Sequence, residues 1–239
     1  FPRDKWLHEI TVKDLIAWRD ARLSSVSPSS VLREISLLSS VFEAARRQWL
    51  WITENPVHSL VKPRAPASRD KLLTKTEIKA VLRSLKYEPS AKRPQTVTQT
   101  VAIAFLLALR TGMRAGELCG LTWDRVEPSH ARLPITKNGT ARDVPISKKA
   151  ARILSKMIGW DDDSVLAIDP RTLDALFRKA KKSAGIENVV FHATRHWAAT
   201  HMAQKLPVLD LCRAFGWKNP KMAMVYYNRS AADIAQLLN

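Results

Sequence analysis

Hydrophobic positions recur every three and four residues through "TVKDLIAWRDARL" (11–23) and "SPSSVLREISLLSSVFEAARRQW" (27–49), so both stretches are expected to form amphipathic helices. Thr11 is placed to N-cap the first, and Ser27 or Ser29 the second. Pro28 suits a first helical turn, where its missing N–H would find no partner anyway. The periodicity then stops: "NPVHSLVKPRAPASRDK" (55–71) carries Pro56, Pro63 and Pro66 and reads as an extended linker. Beyond it Thr74 and Glu77 have capping-box spacing, and the run 101–110 is apolar nearly all round, as a central buried helix must be. "ARLPITK" and "TARDVPIS" are strand-like and are joined through Asn138-Gly139, a strong hairpin signal. From Ser147 the helical period returns, over 147–158, 170–184, 192–204, 207–215 and 219–238, the last with a break. The expected fold is mainly α with one small antiparallel β-sheet (α+β). It is divided into a helical domain over 1–60, a linker over 61–72 and a second domain over 73–239.

Composition narrows the function classes. The 239 residues are 46% hydrophobic, enough for a packed core, while 39 Lys+Arg against 22 Asp+Glu leave a net charge of +17. That excess favours a polyanionic partner, because each phosphate contact releases condensed counterions; nucleic acid is the expected one. Cys119 and Cys212 are the only cysteines and have no metal-ligand spacing, which fits a reducing intracellular compartment. "VAIAFLLAL" is far short of the roughly 18 apolar residues a membrane helix requires, and no signal peptide is visible. The chain opens at Phe1 and enters an amphipathic pattern almost at once, which reads as a piece of a longer protein.

Four clusters could carry chemistry, and each has a plain structural alternative. In "RTGMRAGELCGLTW", Arg114 and Glu117 are spaced as an ordinary helical ion pair. Lys137 in "TKNGTARDVP" stands at a hairpin mouth, where lysines are usually only solvated. In "FHATRHWAATH", His192 and His196 lie four apart as in a zinc-protease helix, but Ala193 stands where that motif needs its glutamate, so no metal is expected. Finally, "GWKNPKMAMVYYNRS" places Trp217 before two adjacent tyrosines, Tyr226 and Tyr227, which taken singly read as core aromatics.

Taken in order, an arginine, a hairpin lysine, His-x-x-Arg, Gly-Trp and a tyrosine nine residues on, the clusters resemble the phage integrase or tyrosine recombinase family over residues 73–228. The segment before the linker resembles part of that family's helical core-binding domain, and the remainder its catalytic domain. Residue by residue, Arg114 matches the first family arginine, Glu117 the acidic residue after it, Lys137 the hairpin lysine, and His192 with Arg195 the His-x-x-Arg box. His196 matches the residue that often follows the box. Trp217 stands where most members carry histidine and some carry tryptophan. Tyr226 matches the nucleophile, and Tyr227 is one residue too far. Ala193 and Thr194 depart from the box's common Asp-Leu.

The resemblance implies a site-specific DNA recombinase that cleaves and rejoins strands through a 3′-phosphotyrosine, in integration, excision, inversion or resolution. The alternative readings are a type IB topoisomerase-like enzyme, which shares the phosphotyrosine chemistry, and a catalytically inactive DNA-binding prophage remnant. Arg114 and Arg195 would hold the scissile phosphate with planar, permanently charged forks. Trp217 would donate its indole N–H. His192 would serve as base for the phenol, and Lys137 as acid for the leaving 5′-oxygen. Glu117 and His196 would support them. No cofactor and no metal are implied, because the phosphotyrosine conserves the bond energy. The implied partners are double-stranded DNA at a specific recombination site, a homotetramer on that DNA and accessory DNA-bending proteins, with no membrane. The implied setting is the bacterial cytoplasm or nucleoid, with a phage or mobile element as the source. Lys62, Arg64, Arg69 and Lys71 in the linker are expected near phosphates, where two basic lobes would close on a duplex. Two placements of the final helix stay open, on its own domain or on a neighbouring protomer.

Overall fold

The structure, a computed structural model, describes residues 4–64, 72–134, 141–227 and 235. The chain divides into two compact units, Phe1–Asp70 and Lys71–Asn239.

In the first unit, α1 (Val12–Leu23) and α2 (Pro28–Arg47) form because an apolar stripe repeats on each and each start is capped. The Thr11 hydroxyl accepts from the Asp14 backbone N–H, while the Asp14 carboxylate accepts from the Thr11 N–H at 2.8 Å. Ser27 caps α2, with Pro28 at its first position. Leu15 of α1 and Val31, Ile35 and Phe42 of α2 make the core. On the polar side Arg22 bridges the helices with a two-pronged bond to Glu34, at 2.9 and 2.6 Å.

The start of the stretch 55–71, read as extended, is folded instead. Pro56–Ser59 winds a 3₁₀ turn, and Val57 and Leu60 are buried in the core of the first unit. Asn55 fixes this return: its side-chain amide donates to the Ser39 carbonyl at 3.0 Å, and its side-chain oxygen accepts from the Val57 N–H at 3.0 Å. Lys62 and Arg64 follow, exposed. Arg69 and Lys71 lie outside the described residues.

The second unit is built around α4 (Val97–Thr111), in which Val101 to Ala104, Phe105 and Leu107 to Leu109 are all buried. Before it comes α3 (Lys75–Ser84), capped by the reciprocal Thr74–Glu77 pair. After it come α5 (Ala115–Cys119), β1 (His130–Leu133), β2 (Arg142–Pro145), α6 (Lys148–Leu154), α7 (Pro170–Ser183), α8 (Ala193–Ala203), α9 (Val208–Phe215) and α10 (Lys221–Met224). Helices α6, α7 and α8 pack on α4, and Phe105, Phe177 and Phe191 meet at 5.4–6.4 Å between ring centres. The strands pair antiparallel, Ala131 opposite Val144 and Leu133 opposite Arg142, so Arg142 shares the inward face of the hairpin. The turn residues of that hairpin, Lys137 among them, lie outside the described residues. A second, smaller core of Ala198, Ala199, Leu211, Phe215 and Ala223 holds Trp217, Tyr226 and Tyr227 along its edge.

Candidate active site

The sharp ends of two helices prepare the site. Gly112 closes α4 and Gly216 closes α9, both left-handed with φ of +67° and +66°, which an L side chain rarely adopts. Neither position has room for a methyl group. At Gly112 it would lie 2.5 Å from the Phe215 ring, and at Gly216 it would lie 2.9 Å from the Arg142 side chain. The bare backbone therefore lets α4, α9 and β2 converge.

Arg195, on the buried face of α8, fills the convergence and is 4% exposed. Its Nη1 donates to the Gly112 carbonyl and its Nη2 to the Phe215 carbonyl, each at 2.6 Å. The guanidinium carbon stands 4.7 Å from the Phe215 ring centre and 5.5 Å from that of Trp217, within cation–π range. Burial, followed by the charges of Arg114 and Arg142, brings its pKa down to about 9, still well above neutral pH. Two of its five N–H groups are anchored on carbonyls, which leaves the remainder to meet an anion.

Arg114 caps the entry to α5, and its Nη1 reaches the Glu117 carboxylate at 2.7 Å. Glu117 is also gripped by Arg142, which donates Nη1 and Nη2 to its two oxygens at 2.8 and 2.7 Å and Nε to the Ala214 carbonyl at 3.2 Å. Burial alone would raise the Glu117 pKa, but the bonds from Arg142 and the Arg114 backbone outweigh it and pull the carboxyl down to about 2. Arg142 was not among the candidates from sequence. The available signal was phase: with Val144 inward on a strand, residue 142 also points inward, and a buried arginine demands a partner.

The C-terminal aromatics complete the pocket. Trp217 stacks on Phe215 at 4.7 Å and lies parallel to Tyr226, at 5.4 Å and 2° between planes. The tyrosine hydroxyl is 2.7 Å from Nδ1 of His196. Tyr227 turns the other way and donates its hydroxyl to the Leu206 carbonyl. The sequence made His192 the base, yet the ring bonded to the phenol belongs to His196; His192 stands edge-on to it at 5.3 Å between ring centres. Partial burial, then the charges of His196, Arg195 and Arg114, lower the His192 pKa from its ordinary value, which favours the neutral imidazole.

The structure thus brings Arg114, Glu117, His192, Arg195, His196, Trp217 and Tyr226 together in the second unit, with Arg142 added. Lys62 and Arg64 belong to the first unit. Among the described residues no cluster of three metal-ligating side chains occurs, and no helix is long and apolar enough to cross a membrane.

A mainly helical catalytic unit with clustered arginines beside one phenol has the form of a phosphoryl-transfer enzyme acting through tyrosine, and comparison with known proteins agrees. Residues 71–233 match the model of the phage integrase family. An integrase/recombinase of Haemophilus influenzae is 36% identical, the alignment covering 99% of this chain and 78% of that protein. The shufflon-specific DNA recombinase of Escherichia coli is 30% identical over 98% of this chain, which spans 62% of its length. Among solved structures, a lambda integrase dimer bound to a COC′ core site superposes with a TM-score of 0.79 at 21% identity, covering 97% of this chain and 84% of that one. A lambda integrase tetramer bound to a Holliday junction superposes at 0.77, with 21% identity and coverage of 96% and 68%. The chain belongs to the phage integrase family, the tyrosine-type site-specific DNA recombinases.

Proposed function

We propose that this chain cuts and rejoins DNA at a specific site with Tyr226 as nucleophile, forming a 3′-phosphotyrosine. The observation that carries the reading is the stack of Tyr226 on Trp217, whose ring in turn lies 5.5 Å from the buried Arg195 guanidinium, so one cluster of side chains holds both the phenol and a fixed cation. Attack on a phosphodiester builds negative charge on the non-bridging oxygens. The unanchored N–H groups of Arg195 and Arg114 meet that charge, in a pocket whose donors are already in place. His192, neutral, adds an N–H donor, and the Trp217 indole N–H, which has no acid–base role, adds another. Arg142 and Glu117 do not touch the phosphate; they tie β2 to α5 and α9, so the arginines keep their positions. Lys137, by family resemblance, protonates the leaving 5′-oxygen. A second strand's 5′-hydroxyl then attacks the phosphotyrosine and restores the phenol, with no external energy source.

The partner is double-stranded DNA, and exchange between two duplexes takes four copies of the chain. Lys62, Arg64, Arg69 and Lys71 supply phosphate contacts along the duplex. The setting is the bacterial cytoplasm, where the nucleoid is accessible.

Covalent capture tests this. The chain is incubated with a library of nicked duplexes of randomised core sequence, and protein–DNA adducts are isolated and sequenced. Adducts enriched in one core are expected, retained by Tyr227→Phe and abolished by Tyr226→Phe. Binding with no adduct would mark a chain that has lost catalysis, and loss of adduct with Tyr227→Phe alone would overturn the assignment of the nucleophile.

A further inference from the structure

A phenol attacks phosphorus only as its proton leaves, because with a reference pKa near 10 only about a thousandth is ionised at pH 7. The acceptor must lie within hydrogen-bond reach of the phenolic oxygen, about 2.6–3.2 Å. His196 Nδ1 occupies that place, 2.7 Å from the Tyr226 hydroxyl. His192 sits one residue before the start of α8, and besides His196 the charges acting on it are those of Arg195, Arg114 and Glu117, the groups of the phosphate pocket. Of the two histidines, His196 makes the bond to the nucleophile, while His192 meets the His196 ring edge-on and feels the charges of the arginines. His196 is also exposed, so a proton taken there has a route to water. Its ring meets His192 edge-on at 82° and lies 6.0 Å from the Tyr226 ring between centres, with Nδ1 on the side of the phenolic oxygen.

We infer that His196, through Nδ1, is the general base that takes the phenolic proton of Tyr226 as its oxygen attacks the scissile phosphate. The inference rests on the phosphoryl-transfer function proposed for this site. In the step, the O–H bond of Tyr226 breaks as its oxygen bonds to phosphorus, and the proton passes to Nδ1 of an imidazole carrying its hydrogen on Nε2. The bond from phosphorus to the 5′-oxygen breaks with its electron pair on that oxygen, which is protonated by Lys137. In religation the 5′-hydroxyl gives its proton to the Lys137 amine as its oxygen bonds to phosphorus, the bond from phosphorus to the phenolic oxygen breaks, and the imidazolium returns its proton to the departing phenolate. His196 touches a reacting atom and is a catalytic residue in this scheme.

The test uses a nicked duplex of the captured core sequence, with the bridging 5′-oxygen at the scissile position either ordinary or replaced by sulfur. A 5′-thiolate leaves without a proton, so sulfur conceals the loss of a leaving-group acid and not the loss of the nucleophile's base. His196→Asn keeps an acceptor oxygen at the position of Nδ1 but cannot carry a proton at neutral pH; His196→Ala removes both. Single-turnover adduct formation by either variant is expected to slow by about a hundredfold or more on both duplexes, with duplex affinity unchanged. Lys137→Ala should be slow on oxygen and recover on sulfur. Parent-like cleavage by His196→Asn would show that the hydrogen bond only positions the phenol, and recovery of the His196 variants on sulfur would place His196 at the leaving group; either overturns the inference. Failure of the underlying function reads differently: the parent forms no adduct, or Tyr226→Phe still forms one.

Discussion

Replacing Glu117 with glutamine isolates the charge that holds the arginines in place. The side chain is 10% exposed; burial pushes its carboxyl up, but the bonds from Arg142 and Arg114 prevail and pull it from the ordinary 4.5 to about 2. At about 1.4 kcal/mol per tenfold change in proton affinity, that depression corresponds to about 3 kcal/mol of folding stability at pH 7. The figure agrees with the cost of about 3–5 kcal/mol for leaving a buried charge unpaired, here Arg142, whose side chain is 6% exposed. For a unit of this size it corresponds to a fall in Tm of about 6–12 °C. The sign with pH follows from the direction of the shift. A carboxyl whose folded pKa is depressed contributes fully above its unfolded value near 4.5, and the contribution is lost as pH falls through about 2. The gap between parent and Glu117→Gln should therefore hold from pH 7 to pH 5, narrow to about 2 kcal/mol at pH 3.5 and nearly close at pH 2. Urea unfolding by circular dichroism, paired with calorimetry at each pH, measures it. A variant as stable as the parent at pH 7 would refute the magnitude. A gap that persists unchanged on acidification would show that the loss comes from packing rather than charge.

Gly112→Ala forces a left-handed residue with a side chain, costing about 1–2 kcal/mol, and drives its methyl into the Phe215 ring. Because the Gly112 and Phe215 carbonyls hold Arg195, both calorimetric stability and adduct formation should fall, whereas Gly116→Ala, which meets nothing within 4 Å, should leave both intact. Removing Lys62 and Arg64 together should weaken duplex binding and flatten the log–log dependence on salt by about 0.9 for each phosphate no longer neutralised, measured by anisotropy titration. An unchanged slope would remove these residues from the interface.

The elements legible in the sequence are those whose cause is local. Apolar residues all round α4, the Thr74–Glu77 box and Pro28 behind Ser27 state their structure within a few positions. The return of Asn55 to Leu60 onto α2 was hidden because its anchor is the Ser39 carbonyl, 16 residues away, and a backbone acceptor leaves no mark in sequence. The same reason hides the partners of Arg195, both of them carbonyls at helix ends. Arg142 failed to stand out because a charged residue on a short strand reads as outward until its phase is counted against Val144. His196 was visible only as a follower of the His-x-x-Arg box, since its bond to Tyr226 spans 30 positions.

What the family order of residues does not convey is how unevenly the pocket is charged. Arg114, Arg142 and Arg195 gather around one carboxylate, and two of the three bond to it, while Arg195 is held only by carbonyl dipoles and aromatic faces. Carbonyls orient a guanidinium without neutralising it. Arg195, already disfavoured as a cation by its burial, accordingly feels the other two arginines as repulsion, and its pKa falls to about 9. An ion pair in that position would have been easier to bury, but it would also have discharged the field. By committing its carboxylate to Arg142 and Arg114 and leaving Arg195 to carbonyl dipoles, the fold keeps a buried positive charge without a bonded counter-ion near the phenol. In the reaction proposed above, an entering phosphodiester would supply an anion there, and the charge growing on it in the transition state would meet donors that need no rearrangement. The same arrangement is the reason for placing the proton acceptor of the proposed step on an exposed ring. In the proposed step a base beside the guanidiniums would have to become a further cation next to them, whereas His196, bonded to the phenol and exposed, takes the proton where water screens the new charge.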